Sequence, residues 1–174
     1  YQYAGDHDVF FFLSIDMYGD FTCGDMALTT QNYGWFYRDE LGQSYARRAY
    51  LWSYYYDIIR LTNKAINAAQ KHIGKDGLLE VDTILENAEM FFYYGEALAM
   101  RGWAYANLQK WFCYTPEQIA SQGYSLTDYM SVPVYTEEVT ETDTLIGAPL
   151  SSAEDVYTRA EEDIKAAIYY FDIL

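Results

Sequence analysis

Basic side chains are scarce in this chain. Eleven Lys and Arg stand against 26 Asp and Glu in 174 residues, a formal net charge of -15. That balance argues against nucleic acid as a partner, because phosphate binding needs basic patches. It argues against an anionic membrane surface for the same reason. Cysteine is almost missing. Cys23 and Cys113 allow a single disulfide, no sequence rule shows that they meet, and unpaired structural thiols are expected. His7 and His72 are the only histidines and lie in distant segments, so no C-x-x-C or H-x-x-x-H spacing exists. Neither a metal nor a cofactor is expected. Long hydrophobic runs are also lacking. The longest, residues 9–13, is far too short to cross a bilayer. There is no signal peptide and no lipid-attachment cysteine. The chain starts without methionine and stops inside a helical pattern, so it is expected to be a fragment, and the missing targeting segment says nothing about compartment.

What is abundant is apolar and aromatic surface. Hydrophobic residues make up 51% of the chain, which argues for a folded protein. A chain of 174 residues suffices for one domain burying roughly 70% of its unfolded surface. Twenty residues are tyrosine. A tyrosine has an apolar ring and a polar tip, which suits wet binding surfaces and half-buried helix contacts. Most of them are expected to fill the core and its grooves.

Helical periodicity dominates. Residues 86–112 contain no proline and carry two adjacent stripes. One runs Ala88, Phe92, Gly95, Ala99, Gly102, Ala106; the other runs Phe91, Tyr94, Leu98, Arg101, Tyr105, Leu108, Phe112. Two stripes predict a central helix covered on most sides. Gly95 and Gly102 each cost about 1 kcal/mol of helix propensity, a cost that close packing would offset. Glu96 and Arg101 inside this segment are expected to be buried and hydrogen-bonded. A first helix is predicted over residues 3–18, from Val9, Phe10, Leu13 and Met17. A second is predicted over 44–73, with Tyr45, Ala49, Trp52, Tyr56, Ile59, Asn63 and Ile66 on one face, Ser44 as N-cap and Gly74 as stop. Residues 74–82 read as a short connection. The last helix spans 151–174. Its predicted buried stripe is Val156, Ala160, Ile164, Ala167 and Phe171, and Ser151 with Glu154 fits a capping box. The expected fold is all-α, built of stacked antiparallel helix pairs with two long loops.

The first long loop, 19–43, holds four glycines and the aromatics Tyr33, Trp35, Phe36 and Tyr37 beside Gln31, Asn32 and Arg38. Loops of that length inside a compact domain are often functional. These rings either fold back onto the core or present a flat stacking surface. The second, 113–150, holds all three prolines, with a turn of helix expected at 116–122. Its Glu137, Glu138, Glu141 and Asp143 lack the calcium-loop pattern and read as solvated charge rather than as a catalytic carboxylate pair.

The motifs carry a family resemblance. Trp52, Tyr56, Ile59, Asn63 and Ile66 resemble the W-x3-Y-x2-I-x3-N-x2-I helix of SusD/RagB-like proteins. Gly95-Glu96-Ala97, Arg101, Tyr105 and Leu108 resemble that family's GEA-x3-RA-x2-Y-x2-L stretch, with Gly102 in place of the usual alanine. Val132-Pro133 resembles its V-P. Residues 151–157 and 163–167 resemble its closing helix, where Ala148-Pro149 replaces an arginine often found just before it. The likeness spans about four-fifths of the chain, in order, and the combination is specific though each piece is weak.

The resemblance implies a tetratricopeptide-like N-terminal helical portion covering residues 1–174, with a C-terminal portion absent. It implies a surface lipoprotein of the outer membrane in Bacteroidetes, anchored through a lipid. Such a protein performs no chemistry. It binds glycans, or peptides in some branches, and sits as a lid on a TonB-dependent transporter of the SusC kind. Trp52, Tyr56, Asn63, Glu96 and Arg101 would be its structural motif. The loop before the Trp52 helix is a place where members of that family present aromatics, so Tyr33, Trp35 and Tyr37, with Asn32 and Arg38, are the candidate ligand-binding residues. In a second reading the chain is chiefly a helical scaffold contacting the transporter, with ligand bound in the absent portion.

Overall fold

The computed structural model describes residues 46–73, 81–136 and 147–174. The predicted first helix, the aromatic loop 19–43, the Ser44 cap, the Gly74 stop and the acidic cluster 137–143 lie outside the described residues. The chain divides into two compact units, Tyr1–Leu51 and Trp52–Leu174. The packing below is that of the second unit.

Five helices occur among the described residues: α1 (Ala46–Ile73), α2 (Val81–Glu86), α3 (Ala88–Phe112), α4 (Pro116–Ser121) and α5 (Ala153–Ile173). No strand occurs among those residues; one antiparallel bridge joins Met130 to Ser152. The fold is all-α. From Trp52 onward α1 runs antiparallel to α3. The Trp52 ring sits 5.1 Å from Phe112, Asn63 bonds Arg101, and Gln70 reaches Tyr94. On its other side α3 meets α5, also antiparallel: Gly95 lies against Phe171, and Gly102 against Ala160 and Ile164.

The expected central helix is interrupted at its start. Asn87 (φ -122°, ψ 35°) leaves helical geometry, its amide bonds the Ile84 carbonyl and its side chain donates to the Thr83 carbonyl. The short helix α2, whose first two residues fall in the connection expected at 74–82 and whose last falls in the expected central helix, therefore precedes a kink. Asparagine favours such local bonds over the helix ladder. The turn buries Ile84 completely, in a cluster with Ile66, Phe91, Leu98, Ala167 and Tyr170. Burying such a side chain contributes roughly 1.5–3 kcal/mol.

The two stripes of α3 differ. The large-residue stripe is core: Phe91, Leu98, Arg101, Tyr105 and Leu108 are buried. The small-residue stripe is covered only where α5 crosses it. Gly95 and Gly102 are buried there, while Ala88, Phe92 and Ala106 are exposed. The glycines act through proximity. A Cβ on Gly102 would stand 2.8 Å from the Ala160 carbonyl oxygen, closer than a carbon can approach backbone. The same atom on Gly95 would meet only the tip of the Phe171 ring, at 3.0 Å.

Two expectations for α5 are corrected. Its N-cap is Ser152, whose Oγ accepts from the Asp155 amide at 3.0 Å. Ser151 instead accepts from the Val134 amide at 3.1 Å, and the Glu154 carboxylate is engaged by Thr127. Its buried face is Val156, Ala160, Asp163, Ala167 and Tyr170, whereas Ile164 and Phe171 are exposed. The face is set by Asp163, which turns inward to meet an arginine. The capping box occurs in α4, where Thr115 and Gln118 bond each other's backbone amides.

Candidate functional site

The candidate ligand residues Asn32, Tyr33, Trp35, Tyr37 and Arg38 lie outside the described residues. The structural motif is described in full, and its centre is Arg101. Its Nε and Nη2 donate to the two carboxylate oxygens of Asp163, each at 2.7 Å, and its Nη1 donates to the Asn63 Oδ1, also at 2.7 Å. Both charged side chains are only 3% exposed. This fork-on-fork geometry is the strongest ion-pair arrangement available to protein side chains. Arg159 approaches the same carboxylate at 3.9 Å from the half-buried edge.

Asn63 passes the network on. Its amide donates to the carbonyls of Tyr135 and Thr136, each at 3.2 Å. Tyr105 grips the same point, accepting from the Tyr135 amide at 2.8 Å and donating to the Tyr135 carbonyl at 2.9 Å. Tyr56 donates to the Pro133 carbonyl at 2.8 Å. Gln109, almost fully buried, accepts from Ser131. Residues 131–136 thus form a strap whose backbone is held by side chains from α1 and α3. This is why asparagine, tyrosine and arginine occur on apolar helix faces: an irregular buried segment needs partners for its amides and carbonyls. Burial pushes the Tyr56 hydroxyl pKa up, aided by Tyr105 and Tyr135. Burial likewise pushes Tyr105 up to about 12, against the lowering effects of the Tyr135 amide and Arg101.

Glu96 does not join this centre, contrary to expectation. It is exposed on α3. The partner of Arg101 comes from α5, so no second acidic group on α3 is needed inside. Trp52 is half-buried, packed on Tyr56 (4.8 Å) and edge-on to Phe112. Asp163, Tyr105, Gln109 and Ser131 complete the network but did not stand out as site residues in the sequence. The signal for Asp163 was its place on an otherwise apolar face.

The family model SusD-like_3, described as starch-binding associating with outer membrane, matches residues 12–171. The chain belongs to the SusD-like family. No curated protein and no solved structure matches it. The Arg101 centre is thus the internal frame of a SusD-like helical layer. Its arginine and aspartate side chains are closed to solvent. Among the described residues of this SusD-like chain, no helix is long and apolar enough to cross a membrane, and no cluster of metal-ligating side chains occurs. Cys113 is a free, half-buried thiol.

The open features are elsewhere. A cleft between α1 and α3 is lined by Ala65, Ala68, Ala69, His72, Glu89 and Tyr93. A row of exposed apolar side chains, Phe92, Ile164, Ile168 and Phe171, runs along α3 and α5. A group of surface tyrosines decorates residues 113–130.

Proposed function

We propose that this SusD-like chain is the helical part of a lipid-anchored protein on the outer-membrane surface. It captures oligosaccharide and delivers it to a SusC-like TonB-dependent transporter. The observation that supports the reading is the family match over residues 12–171, with its starch-binding, outer-membrane description. Trp35, with Tyr33 or Tyr37, stacks on the sugar, and Asn32 and Arg38 bond its hydroxyls. A net charge of -15 suits a neutral ligand. Each stacked ring contributes roughly 1 kcal/mol. Two or three rings with hydrogen bonds give about 4 kcal/mol, a Kd near 1 mM, weak enough to release the sugar to a transporter. The test is a titration of the full-length protein with starch-derived oligosaccharides. Trp35→Ala should weaken binding about fivefold or more, and an unchanged affinity refutes the platform.

A second reading is supported by the exposed row Phe92, Ile164, Ile168 and Phe171. Side chains of that size on a helix pair suit a protein contact. The chain then serves mainly as a scaffold against the transporter. Charge substitutions in the row that abolish transporter association, with glycan binding intact, would favour it.

A further inference from the structure

Residues 113–130 carry three tyrosines that packing does not explain. Ile119 is fully buried and seats the segment on the fold. Tyr114, Tyr124 and Tyr129 do not follow it inward. The rings of Tyr114 and Tyr124 each lie 6.1 Å from that of Tyr129, inclined at 50° and 70°, and the outer two are 48% and 53% exposed. Tyr129 is half-buried and meets Tyr124 edge-on and Tyr114 at a tilt. Burial raises the Tyr129 hydroxyl pKa, and Cys113, Tyr114 and Tyr124 add to the shift.

The backbone beneath the rings is fixed. The capping box of α4 ties down its start. Gly123, at φ +83°, reverses the chain after α4 in a conformation that glycine adopts without strain. Ser125 and Asp128 bond each other at 2.6 Å, the Ala153 amide bonds the Tyr129 carbonyl at 2.8 Å, and the Glu154 amide bonds the Leu126 carbonyl at 3.2 Å. A surface already held in place loses little freedom when a ligand settles on it.

The charge around the rings restricts the ligand. Residues 113–130 contain no Lys or Arg. They contain Glu117 and Asp128, and Glu154 adjoins them through Thr127. The backbone amide and Thr115 lower the pKa of Glu117. A segment of that charge repels anions and accepts hydrogen bonds from hydroxyl groups, while the rings offer flat apolar faces. A neutral sugar presents both complements: C–H faces for the rings and hydroxyls for the carboxylates.

We propose that Tyr114, Tyr124 and Tyr129 form a saccharide-stacking surface for a neutral glycan chain, distinct in sequence from the Trp35 segment. The choice of glycan as ligand rests on the family reading above. Two such surfaces on one protein would raise its hold on a polymer above that on a short oligosaccharide, by multivalency.

The experiment uses the full-length protein, with soluble starch and a starch-derived oligosaccharide as probes. Four proteins are compared: wild type, Trp35→Ala, Tyr114→Ala/Tyr124→Ala and Tyr114→Phe/Tyr124→Phe. The paired alanine variant should weaken binding to the polymer about tenfold with an unchanged melting temperature. The paired phenylalanine variant keeps the rings and should stay within about twofold of wild type. Polymer binding by the alanine pair equal to wild type overturns this surface and leaves the Trp35 reading intact. So does equal loss in both pairs, because stacking would then not carry the binding. A transporter-association defect in the alanine pair, with glycan binding unchanged, assigns the tyrosines to a protein contact and also overturns it. A wild-type protein that binds neither probe removes the glycan reading itself, and this surface with it.

Discussion

Arg101→Met is the sharpest test of the structural argument. The substitution preserves length and apolar bulk while deleting the charge. It leaves the Asp163 carboxylate, 3% exposed, without the fork that engages both its oxygens, and it removes the donor to Asn63. Arg159, 3.9 Å away and partly in water, is a weak substitute. Breaking a buried pair from one side costs about 3–5 kcal/mol, because the remaining charge is stranded. A domain of this size has only about 5–15 kcal/mol to lose. With a urea slope of about 2 kcal/mol/M, the unfolding midpoint should fall by about 2 M. The assay is equilibrium urea unfolding followed by circular dichroism. Adding Asp163→Leu to Arg101→Met removes the stranded charge and should recover roughly 2–3 kcal/mol of the loss, read as the difference between the single and the double variant. A single variant within 1 kcal/mol of wild type would refute the claim that this pair is desolvated and central.

Further outcomes follow from the same geometry. Gly102→Ala should destabilise by about 2 kcal/mol despite a better helix propensity, because its Cβ would press on the Ala160 carbonyl. Gly95→Ala meets only a movable ring edge and should stay within about 1 kcal/mol, so thermal melts of the two variants side by side test the distinction. Ser152→Ala removes the N-cap of α5 and should cost about 1 kcal/mol in the same assay. Alkaline unfolding tests Tyr105, whose pKa is raised from 10.0 to about 12. A raised value means that the folded state holds its proton longer. The associated stability is fully present below pH 10 and is lost as pH climbs toward 12, an effect of about 3 kcal/mol. In Tyr105→Phe that part of the alkaline slope should vanish. A slope equal to wild type would show that other groups cause it.

The helices α1, α3 and α5 were legible because their apolar stripes repeat at helical spacing over many turns. Arg101 stood out for the same reason, as a charge on an apolar face. Glu96 misled because it neighbours that face in sequence while pointing outward, and one sequence does not reveal where each helix meets its neighbours. The rotation of α5 was missed because Ile164 and Phe171 outrank Asp163 in hydrophobicity. Only the inward arginine makes Asp163 the better buried residue. The kink at Asn87 depends on side-chain bonds to nearby carbonyls, which periodicity does not record. The tyrosines of residues 113–130 were hidden in plain composition. Twenty tyrosines made each one look like filler, and only the fold separates those inside from those grouped at the surface.

The strap at residues 131–136 has a consequence for how the protein breathes. Its amides are not tied into a sheet or a helix. Val134 and Tyr135 donate to the hydroxyls of Ser151 and Tyr105, and Ser131 donates to the Ser151 carbonyl. Their exchange with solvent therefore requires Tyr105 and the start of α5 to let go. A loop that looks irregular should exchange its amide hydrogens as slowly as the middle of α3 and open in the same cooperative unit.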